Sequence, residues 1–251
     1  MSIRSLVCKG VSALLLGGVL TGCASGPNAN PRDPLEPYNR GVSQFNEAVD
    51  DAVLKPVATA YRDIAPRLVQ TGVNNFFGNL GDVLSAANAG LQLRPREAVE
   101  NLMRFSVNTV FGLGGLLDIA SEMGMERTRT DFGQTLGRWG VPPGPYFVMP
   151  IFGPSTIRDT AGFAVDTNGE LVGRTKDVAA RNSLTVLRVV DTRAGLLGAT
   201  NLLQEAALDK YSFTRDFYLQ RRQNQIEAIR EAGSGLGSVQ RSDTQDAQSG
   251  K

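Results

Sequence analysis

The sequence predicts an all-α domain, and three observations support that fold class. Apolar residues recur every three or four positions after a helix-start signal at Asp33. Two largely apolar segments, residues 68–93 and 105–121, flank a charged connector, residues 94–104, as in a helical hairpin. Further stretches with helical character fill the C-terminal third. We expect one sizeable domain over residues 33–232, because a chain with 41% hydrophobic residues can bury a core.

Residues 1–22 have the features of an export signal. Arg4 and Lys9 form a positive start, residues 11–20 are apolar, and small residues stand directly before Cys23. The order Leu-Thr-Gly-Cys resembles the lipobox of bacterial lipoproteins, in which the cysteine is lipidated, the chain is cut before it and the new amine is acylated. Three acyl chains, at about 0.8 kcal/mol per buried methylene, give stable anchoring. The alternative is a signal followed by an ordinary cysteine.

Residues 24–32 are predicted to form a flexible tether between the lipid anchor on Cys23 and the folded domain. Ala24, rather than an aspartate, follows the cysteine, which in proteobacterial lipoproteins indicates sorting to the outer membrane. A flexible chain of about nine residues reaches roughly 17 Å. The domain is therefore expected to lie close to the bilayer.

The first helix is predicted to begin with Asp33 as its N-cap, Pro34 at the first helical position and Glu36 completing a capping box. Five apolar residues at helical spacing form one stripe along it: Leu35, Tyr38, Val42, Phe45 and Val49. Pro56 and Pro66 divide the chain that follows into a short segment.

The two apolar segments are not typical membrane spans. Glycines interrupt both of them: Gly72, Gly78, Gly81, Gly90, Gly112, Gly114 and Gly115. A span needs about 20 largely apolar residues. The segments are therefore either ordinary buried helices or a hairpin that faces a membrane interface, and in the second case we expect Leu84 and Leu116 to face lipid. A helix that begins near Glu97, after Pro95, leads into the second segment.

A different kind of sequence begins at Asp131. Residues 131–140 are predicted to form a short helix ended by a glycine, and residues 141–154 place five prolines among large apolar side chains. Such a run cannot form a regular helix or a central strand. We expect a stiff loop, which either closes a cavity or rim or is a buried connector. Residues 155–165 are then predicted to form a capped helix.

Three more helices are predicted, over residues 183–190, 192–205 and 209–231. The last has an interrupted apolar face, made of Phe213, Phe217, Ile226 and Ile229. Its arginines Arg221, Arg222 and Arg230 lie towards its C-terminal end, where positive charge interacts favourably with the helix dipole. Residues 233–251 contain little besides glycine, serine, glutamine and aspartate, and are predicted to be disordered.

Composition excludes several functions. The chain carries 26 basic and 25 acidic residues, so it gives no electrostatic reason to expect a nucleic acid partner. It has no histidine, and once Cys8 leaves with the signal its only cysteine is Cys23. This excludes histidine-based triads, histidine-ligated metals and a disulfide within the mature chain. We therefore predict no catalytic residue, no cofactor and no metal site.

Six blocks of sequence, in order over about residues 33–162, carry a family resemblance. They are residues 33–36 with 39–40, residues 74–80, residues 104–109 with 112–118, residues 131–137, residues 144–146 and residues 153–159. A weaker similarity follows at residues 191–194 and near Tyr211 and Tyr218. The blocks resemble the MlaA family, also called VacJ, of outer-membrane lipoproteins.

The resemblance implies an all-helical ring with an amphipathic central channel, embedded in the inner leaflet of the outer membrane of a Gram-negative bacterium and lipid-anchored on its periplasmic side. It implies that the protein removes mislocalised phospholipids from the outer leaflet and hands them to a soluble periplasmic lipid-binding protein, which maintains lipid asymmetry. It also implies association with trimeric porins, and it brings no catalytic residues. A partly polar interior suits this role, because a charged headgroup passes through hydrocarbon only at a high cost. The sequence does not indicate which residues line the channel.

Four arginines could bind a lipid phosphate in such a channel: Arg62, Arg67, Arg94 and Arg158. Guanidinium groups bind phosphate bidentately where geometry allows. The alternative for each is a salt-bridged or snorkelling arginine, so we assign none of them.

Two other functions are alternatives to lipid transport. An esterase or phospholipase would need a nucleophile elbow, and neither Gly-x-Ser-x-Gly nor a histidine base occurs in the sequence. A structural or adaptor lipoprotein would bind another envelope protein without moving lipid. Phospholipid recovered with the protein after gentle detergent extraction would separate transport from an adaptor role.

Overall fold

The structure is a computed structural model that describes residues 33–233, and for residues 201–206 and 233 it describes the backbone alone. The signal, Cys23 and the tether lie outside the described residues, as does the predicted disordered tail apart from Gly233. The lipid anchor, the tether and the disordered tail therefore stay predictions.

The described residues are mostly helical. In chain order the elements are α1 (Glu36–Val49), α2 (Lys55–Ile64), α3 (Arg67–Leu91), α4 (Pro95–Val110), α5 (Ile119–Glu122), α6 (Phe132–Arg138), β1 (Tyr146–Met149), β2 (Gly153–Thr156), α7 (Ile157–Gly169), α8 (Val178–Ala206) and α9 (Lys210–Gly233). A π-helical turn, Asp50–Leu54, joins α1 to α2, and a 3₁₀ turn, Val172–Arg174, lies between α7 and α8. The helical fold class is confirmed, and the two strands are a correction to it.

The start of α1 differs from the prediction. The helix begins at Glu36, with Leu35 as its N-cap and no capping side chain. The carboxylate of Asp33 is buried and accepts hydrogen bonds from the amide of Asn39, at 3.1 Å, and from the hydroxyl of Tyr211. The predicted capping box is wrong because these tertiary contacts use the carboxylate that would have capped the helix.

The proline-rich run forms an antiparallel β-hairpin rather than an irregular loop. Val148 of β1 pairs with Pro154 of β2. The N–H of Val148 donates to Asn39 Oδ1 of α1, at 2.8 Å, and so points away from β2. Val148 and Pro154 are therefore a non-hydrogen-bonded pair of the antiparallel ladder. Because such a pair needs no N–H from the residue opposite Val148, a proline is tolerated there.

Two asparagines of α1 cover the free edge of β1. Asn39 donates to the carbonyl of Tyr146 at 3.0 Å, and Asn46 donates to the carbonyl of Met149 at 3.0 Å. Their amide oxygens accept from backbone N–H groups of the hairpin in turn. These bonds satisfy backbone groups that an edge strand would otherwise leave unpaired.

The predicted hairpin of the two apolar segments is present as α3 and α4, joined by the turn at residues 92–94. In the second segment residues 105–110 belong to α4 and residues 119–121 belong to α5, and residues 111–118 between them form a glycine-rich turn. That turn packs on the start of α3, because Asn75 Nδ2 donates to the carbonyl of Leu116 at 3.1 Å. Gly115 (φ 95°) must be a glycine, since a Cβ there would lie 2.6 Å from Asn79 Nδ2.

Large apolar side chains are concentrated at the end of this hairpin where α3 begins and α4 ends. Five of them are at least 70% exposed: Ile64 (81%), Leu68 (86%), Val110 (71%), Phe111 (70%) and Leu113 (71%). We call this cluster the apolar end. No helix within residues 33–233 is long and apolar enough to cross a membrane.

The interior is unusually polar. The largest fully buried side chains are all polar or charged, and they include Arg104, Gln92, Asn39, Asn79 and Asn101. The buried apolar residues form small clusters, such as Tyr146, Val148 and Tyr211 beside α9. Globular proteins in water usually bury apolar side chains and expose polar ones, so the domain has much of this pattern inverted.

The C-terminal helices also depart from the prediction. Residues 183–190 and 192–205 belong to one continuous helix, α8. In α9 the predicted apolar face is divided, because Ile226 and Ile229 are buried whereas Phe213 and Phe217 are exposed. The capped helix predicted from residue 155 is confirmed as α7, with Thr156 Oγ1 accepting from the N–H of Asp159 at 3.2 Å.

Candidate functional site: a polar cavity between helices

A cavity of about 640 Å³ lies between helices α3, α7, α8 and α9, the start of α6 and the β-hairpin. Each helix contributes one face, because its lining residues recur at three or four positions. The helix residues include Asn74, Phe77, Gly81, Leu84 and Ser85 of α3; Asp159, Phe163, Asp166 and Glu170 of α7; Arg188, Asp191 and Thr192 of α8; and Tyr218, Arg221, Arg222 and Gln225 of α9. The proline-rich hairpin adds Met149, Phe152 and Pro154. It therefore forms part of a cavity wall, one of the two roles that the sequence left open for it.

Arg222 joins three elements of the wall. Its guanidinium donates to both oxygens of Asp131, at 2.6 and 2.9 Å, and its Nε donates to Asp159 Oδ2 at 3.0 Å. Tyr218, one turn earlier in α9, donates its hydroxyl to the same Asp159 oxygen at 2.8 Å. The start of α6, helix α7 and helix α9 are thus held together by one charged cluster.

The charges in this cluster are fixed. Burial would lower the pKa of Arg222, but its hydrogen bonds to Asp131 and Asp159 raise it above the ordinary value. Burial would likewise raise the pKa of Asp159, yet the hydrogen bonds from Arg222, Tyr218 and Arg158 hold it below its usual range. Both groups stay ionised at neutral pH, and each already has an opposite charge beside it.

Close contacts between backbones set the shape of this wall. A Cβ on Gly162 of α7 would lie 2.4 Å from the backbone nitrogen of Gly133 in α6. A Cβ on Gly137 would lie 2.6 Å from Ile226 Cδ1 of α9. The glycines of the block at residues 131–137 are therefore required for packing, because they let α6 approach its neighbours.

A network of neutral side chains connects α3 to α6. The amide of Gln92 donates to Thr130 Oγ1 at 2.7 Å and to Thr135 Oγ1 at 2.9 Å, and Thr135 donates to Asn88 Oδ1 at 2.9 Å. Asn88 then donates to Asp166 Oδ1 at 3.1 Å. Burial raises the pKa of Asp166, whose described partners are neutral donors.

A second charged cluster extends from Asp82, which lines the cavity, to α4 and the glycine-rich turn. Arg104, which is fully buried, donates to both oxygens of Asp118 at 2.8 and 2.9 Å, and its Nε is 3.7 Å from Asp82. Arg127 Nε is 3.1 Å from the same aspartate. Burial opposes ionisation of Asp118, but hydrogen bonds from Ser121 and Asn108 outweigh it and lower its pKa to about 2. The cluster fixes the glycine-rich turn against α4.

None of the four arginines named from the sequence lines the cavity. Three are in ion pairs: Arg94 with Glu97 at 2.7 Å, Arg158 with Asp159 at 2.8 Å, and Arg62 with Asp63 at 3.4 Å. The salt-bridged alternative therefore describes these three. Arg67 is exposed at the first residue of α3.

Leu84 and Leu116 do not share one environment. Leu116 is 44% exposed beside the start of α3, but Leu84 lines the cavity. Its Cδ2 lies 2.8 Å from the position of a Cβ on Gly169. The expectation that Leu84 faces lipid is wrong, because this face of α3 turns inward against α7.

The role of Arg222 is not evident from the sequence, where its position suggests a dipole interaction alone. Asp131 and Asp159, which it binds, both lie inside the family blocks, whereas Arg222 lies outside them. The signal that could have found it is the polar repeat of Tyr218, Arg222 and Gln225 at helical spacing. A polar stripe in a helix also indicates a solvated face, so that pattern alone is ambiguous.

These features define a class of protein: a helical domain with polar side chains turned inward around a cavity and large apolar side chains turned outward. Among residues 33–233, no group of three or more histidine, cysteine, aspartate or glutamate residues is arranged to hold a metal ion. The chain belongs to the MlaA lipoprotein family, whose model matches residues 31–225. This confirms the resemblance carried by the six sequence blocks.

Relatives of this chain match it over most of its length. The intermembrane phospholipid transport system lipoprotein MlaA of Escherichia coli K12 is 37% identical over 218 residues, which cover 84% of this chain and 86% of the relative. The protein of the same name from Haemophilus influenzae is 33% identical over 229 residues, covering 86% and 89%. A solved structure that describes the basis for maintenance of bacterial outer membrane lipid asymmetry superposes with a TM-score of 0.68 at 35% identity, covering 77% of this chain and 98% of that one.

Proposed function

We propose that this protein is an outer-membrane lipoprotein that removes mislocalised phospholipids from the outer leaflet and hands them to a soluble periplasmic lipid carrier. In this proposal the lipid on Cys23 and the apolar exterior seat the domain in the inner leaflet, beside trimeric porins, and lipids pass through a channel without a chemical step. The names of the relatives support the transport role, since they describe an intermembrane phospholipid transport system.

The observation that carries the proposal is the inverted distribution of side chains. The five residues of the apolar end are each at least 70% exposed, while polar groups occupy the interior. Fully burying one large apolar side chain stabilises a protein by about 1.5 to 3 kcal/mol. A surface that leaves five of them together uncovered is typical of a protein that binds lipid or another protein there.

The cavity suits the polar half of a phospholipid. Its wall combines charged groups, such as the Arg222 cluster, with apolar side chains, such as Phe163 and Leu84. A zwitterionic or anionic headgroup keeps its polar contacts in such a space, whereas in hydrocarbon it would lose them. We infer that the cavity is part of the route along which the headgroup moves.

A pair of glycine substitutions tests this route. Gly81 lines the cavity and Gly41 does not, and a Cβ on either glycine would meet no atom within 4 Å. Gly81→Phe should therefore narrow the cavity with little effect on packing, and Gly41→Phe is its matched control. In cells whose own copy is deleted, the measured quantity is the phospholipid that a phospholipase added outside can hydrolyse.

The expected result is surface-exposed phospholipid with Gly81→Phe and normal asymmetry with Gly41→Phe. The wild-type protein, extracted gently in detergent, should carry bound phospholipid. Normal asymmetry with a stably produced Gly81→Phe protein would contradict the cavity as the route. A wild-type protein without bound phospholipid, whose deletion leaves asymmetry intact, would favour the adaptor role.

A further inference from the structure

The cavity wall contains arginines of two kinds. Arg222 is bound to Asp131 and Asp159, and Arg188 Nη1 is 2.9 Å from Glu170 Oε1. Arg129 and Arg221 line the same cavity and are exposed, and within the part of the chain that the structure describes neither has a hydrogen-bond or ion-pair partner. Two cations therefore face the cavity without a counterion.

The two unpaired arginines belong to chain segments that an ion pair joins. Arg221 precedes Arg222 in α9, and Arg129 stands two residues before Asp131. The guanidinium of Arg222 is 2.6 Å from the carboxylate of Asp131. This ion pair brings the two chain segments together, and each segment contributes one of the unpaired arginines to the lining of the cavity.

Six carboxylates line the cavity, and among residues 33–233 none of them is in an ion pair with Arg129 or Arg221. Asp82 is paired with Arg104 and Arg127, and Glu170 is paired with Arg188. Asp166 accepts from the amide of Asn88 and from the N–H of Phe132. Asp131 and Asp159 are already bound by Arg222. Asp191 accepts from the hydroxyl of Tyr61 at 3.0 Å and from the amide of Asn74 at 3.4 Å. Each of these carboxylates thus has other partners, which leaves both guanidinium groups available to an anion.

We propose that Arg129 and Arg221 bind the phosphate of a phospholipid headgroup in the cavity. This inference rests on the proposed function and adds the residues that recognise the substrate. A phosphodiester carries one negative charge and oxygens that match the fork of a guanidinium group, and two arginines can hold it by paired hydrogen bonds. The acyl chains make no contact with these residues in this arrangement.

The test uses the full lipidated protein in detergent and short-chain probes. Binding of dihexanoylphosphatidylethanolamine, inorganic phosphate and dihexanoylglycerol is measured by calorimetry for the wild type, R129Q, R221Q and the double variant. R67Q/R96Q is the matched control, because Arg67 and Arg96 are exposed, do not line the cavity and have no hydrogen-bond or ion-pair partner among residues 33–233. Thermal unfolding of each variant verifies that the fold is retained.

We expect each single substitution to weaken binding of the phospholipid probe roughly tenfold, the scale of one hydrogen bond to a charged group. The control variant should bind as the wild type does, and binding of the uncharged dihexanoylglycerol should be unchanged in all variants. R129K and R221K should recover part of the affinity, because lysine keeps the charge but loses the bidentate geometry.

The other outcomes overturn the inference in different ways. Wild-type affinity of the double variant for the phospholipid probe would show that these arginines are not the headgroup site, while lipid transport would stand. If inorganic phosphate bound as tightly as the phospholipid and depended on the same arginines, the site would be one for free phosphate. If the wild-type protein bound no phospholipid at all, both the inference and the proposed function would fail.

Discussion

Replacing Phe111 with arginine tests whether the apolar end enters a membrane. Phe111 is 70% exposed, so moving its exposed part from water into lipid contributes roughly 1 to 2 kcal/mol. An arginine at depth costs about 2.5 to 3.5 kcal/mol instead, and less near the interface. The two effects together weaken membrane binding by about 3.5 to 5.5 kcal/mol when the arginine lies at depth, which corresponds to roughly three hundredfold or more in the partition coefficient.

The assay is flotation with phospholipid vesicles of a chain that covers residues 33–233. This chain lacks the predicted lipid anchor, so it binds vesicles only through its own surface. The wild-type chain should float with the vesicles, and Phe111→Arg should remain largely in the dense fraction. A folded Phe111→Arg chain that floats as well as the wild type would refute the reasoning that the apolar end faces lipid.

A second position in the same hairpin provides the comparison. Leu84 lines the cavity and packs close to Gly169. Leu84→Arg should therefore lower the thermal midpoint in detergent, because the longer charged side chain cannot keep the close packing of Leu84 against Gly169. Phe111→Arg should leave the midpoint nearly unchanged, since an exposed substitution away from special contacts usually alters stability by no more than about 0.5 kcal/mol.

Four further predictions concern the anchor, the tail, the packing and the pH dependence. Cys23→Ala should leave an unprocessed or mislocalised protein, and mass spectrometry that finds no acyl chains on the native Cys23 would contradict this. Deleting residues 233–251 should barely change the thermal midpoint, because they offer little apolar area to bury. Gly162→Ala should destabilise the domain by about 1 to 3 kcal/mol in urea unfolding, since its Cβ would overlap Gly133. Because the pKa of Asp118 is lowered to about 2, its stabilising effect should be complete above about pH 4 and lost as the pH falls towards 2; urea midpoints of the wild type and D118N over that range would show this.

The helices were predictable where one local pattern decides the structure. The hairpin of α3 and α4 follows from two apolar segments around a charged connector, and α7 follows from the capped helix predicted over residues 155–165. The β-hairpin was not predictable in this way. Its strands have four residues each, and Asn39 and Asn46 of a distant helix supply the hydrogen bonds along its free edge.

The cavity was less predictable than the fold, because long-range pairing decides it. Asp33 binds the hydroxyl of Tyr211 instead of capping α1, and Tyr211 lies far along the chain from it. The same holds for Arg222, whose partners Asp131 and Asp159 are in two other segments. Patterns in neighbouring residues assign Asp33 to a helix cap and Arg222 to an interaction with the helix dipole. In the structure each side chain instead binds partners that are distant in sequence.

The inverted distribution of side chains connects these results to the proposed function. A phospholipid has a charged headgroup and apolar tails, and a carrier must satisfy both halves at once. The buried clusters of Arg104 and Arg222 hold helices together through polar contacts. Arg129 and Arg221, which have no ion-pair partner among residues 33–233, then supply the charges in the cavity wall that a headgroup can use. The apolar side chains that would form the core of a water-soluble domain are instead at the surface, where tails can contact them. On this reasoning the stability of the domain depends on its surroundings, since hydrophobic burial contributes fully only when lipid covers the apolar end.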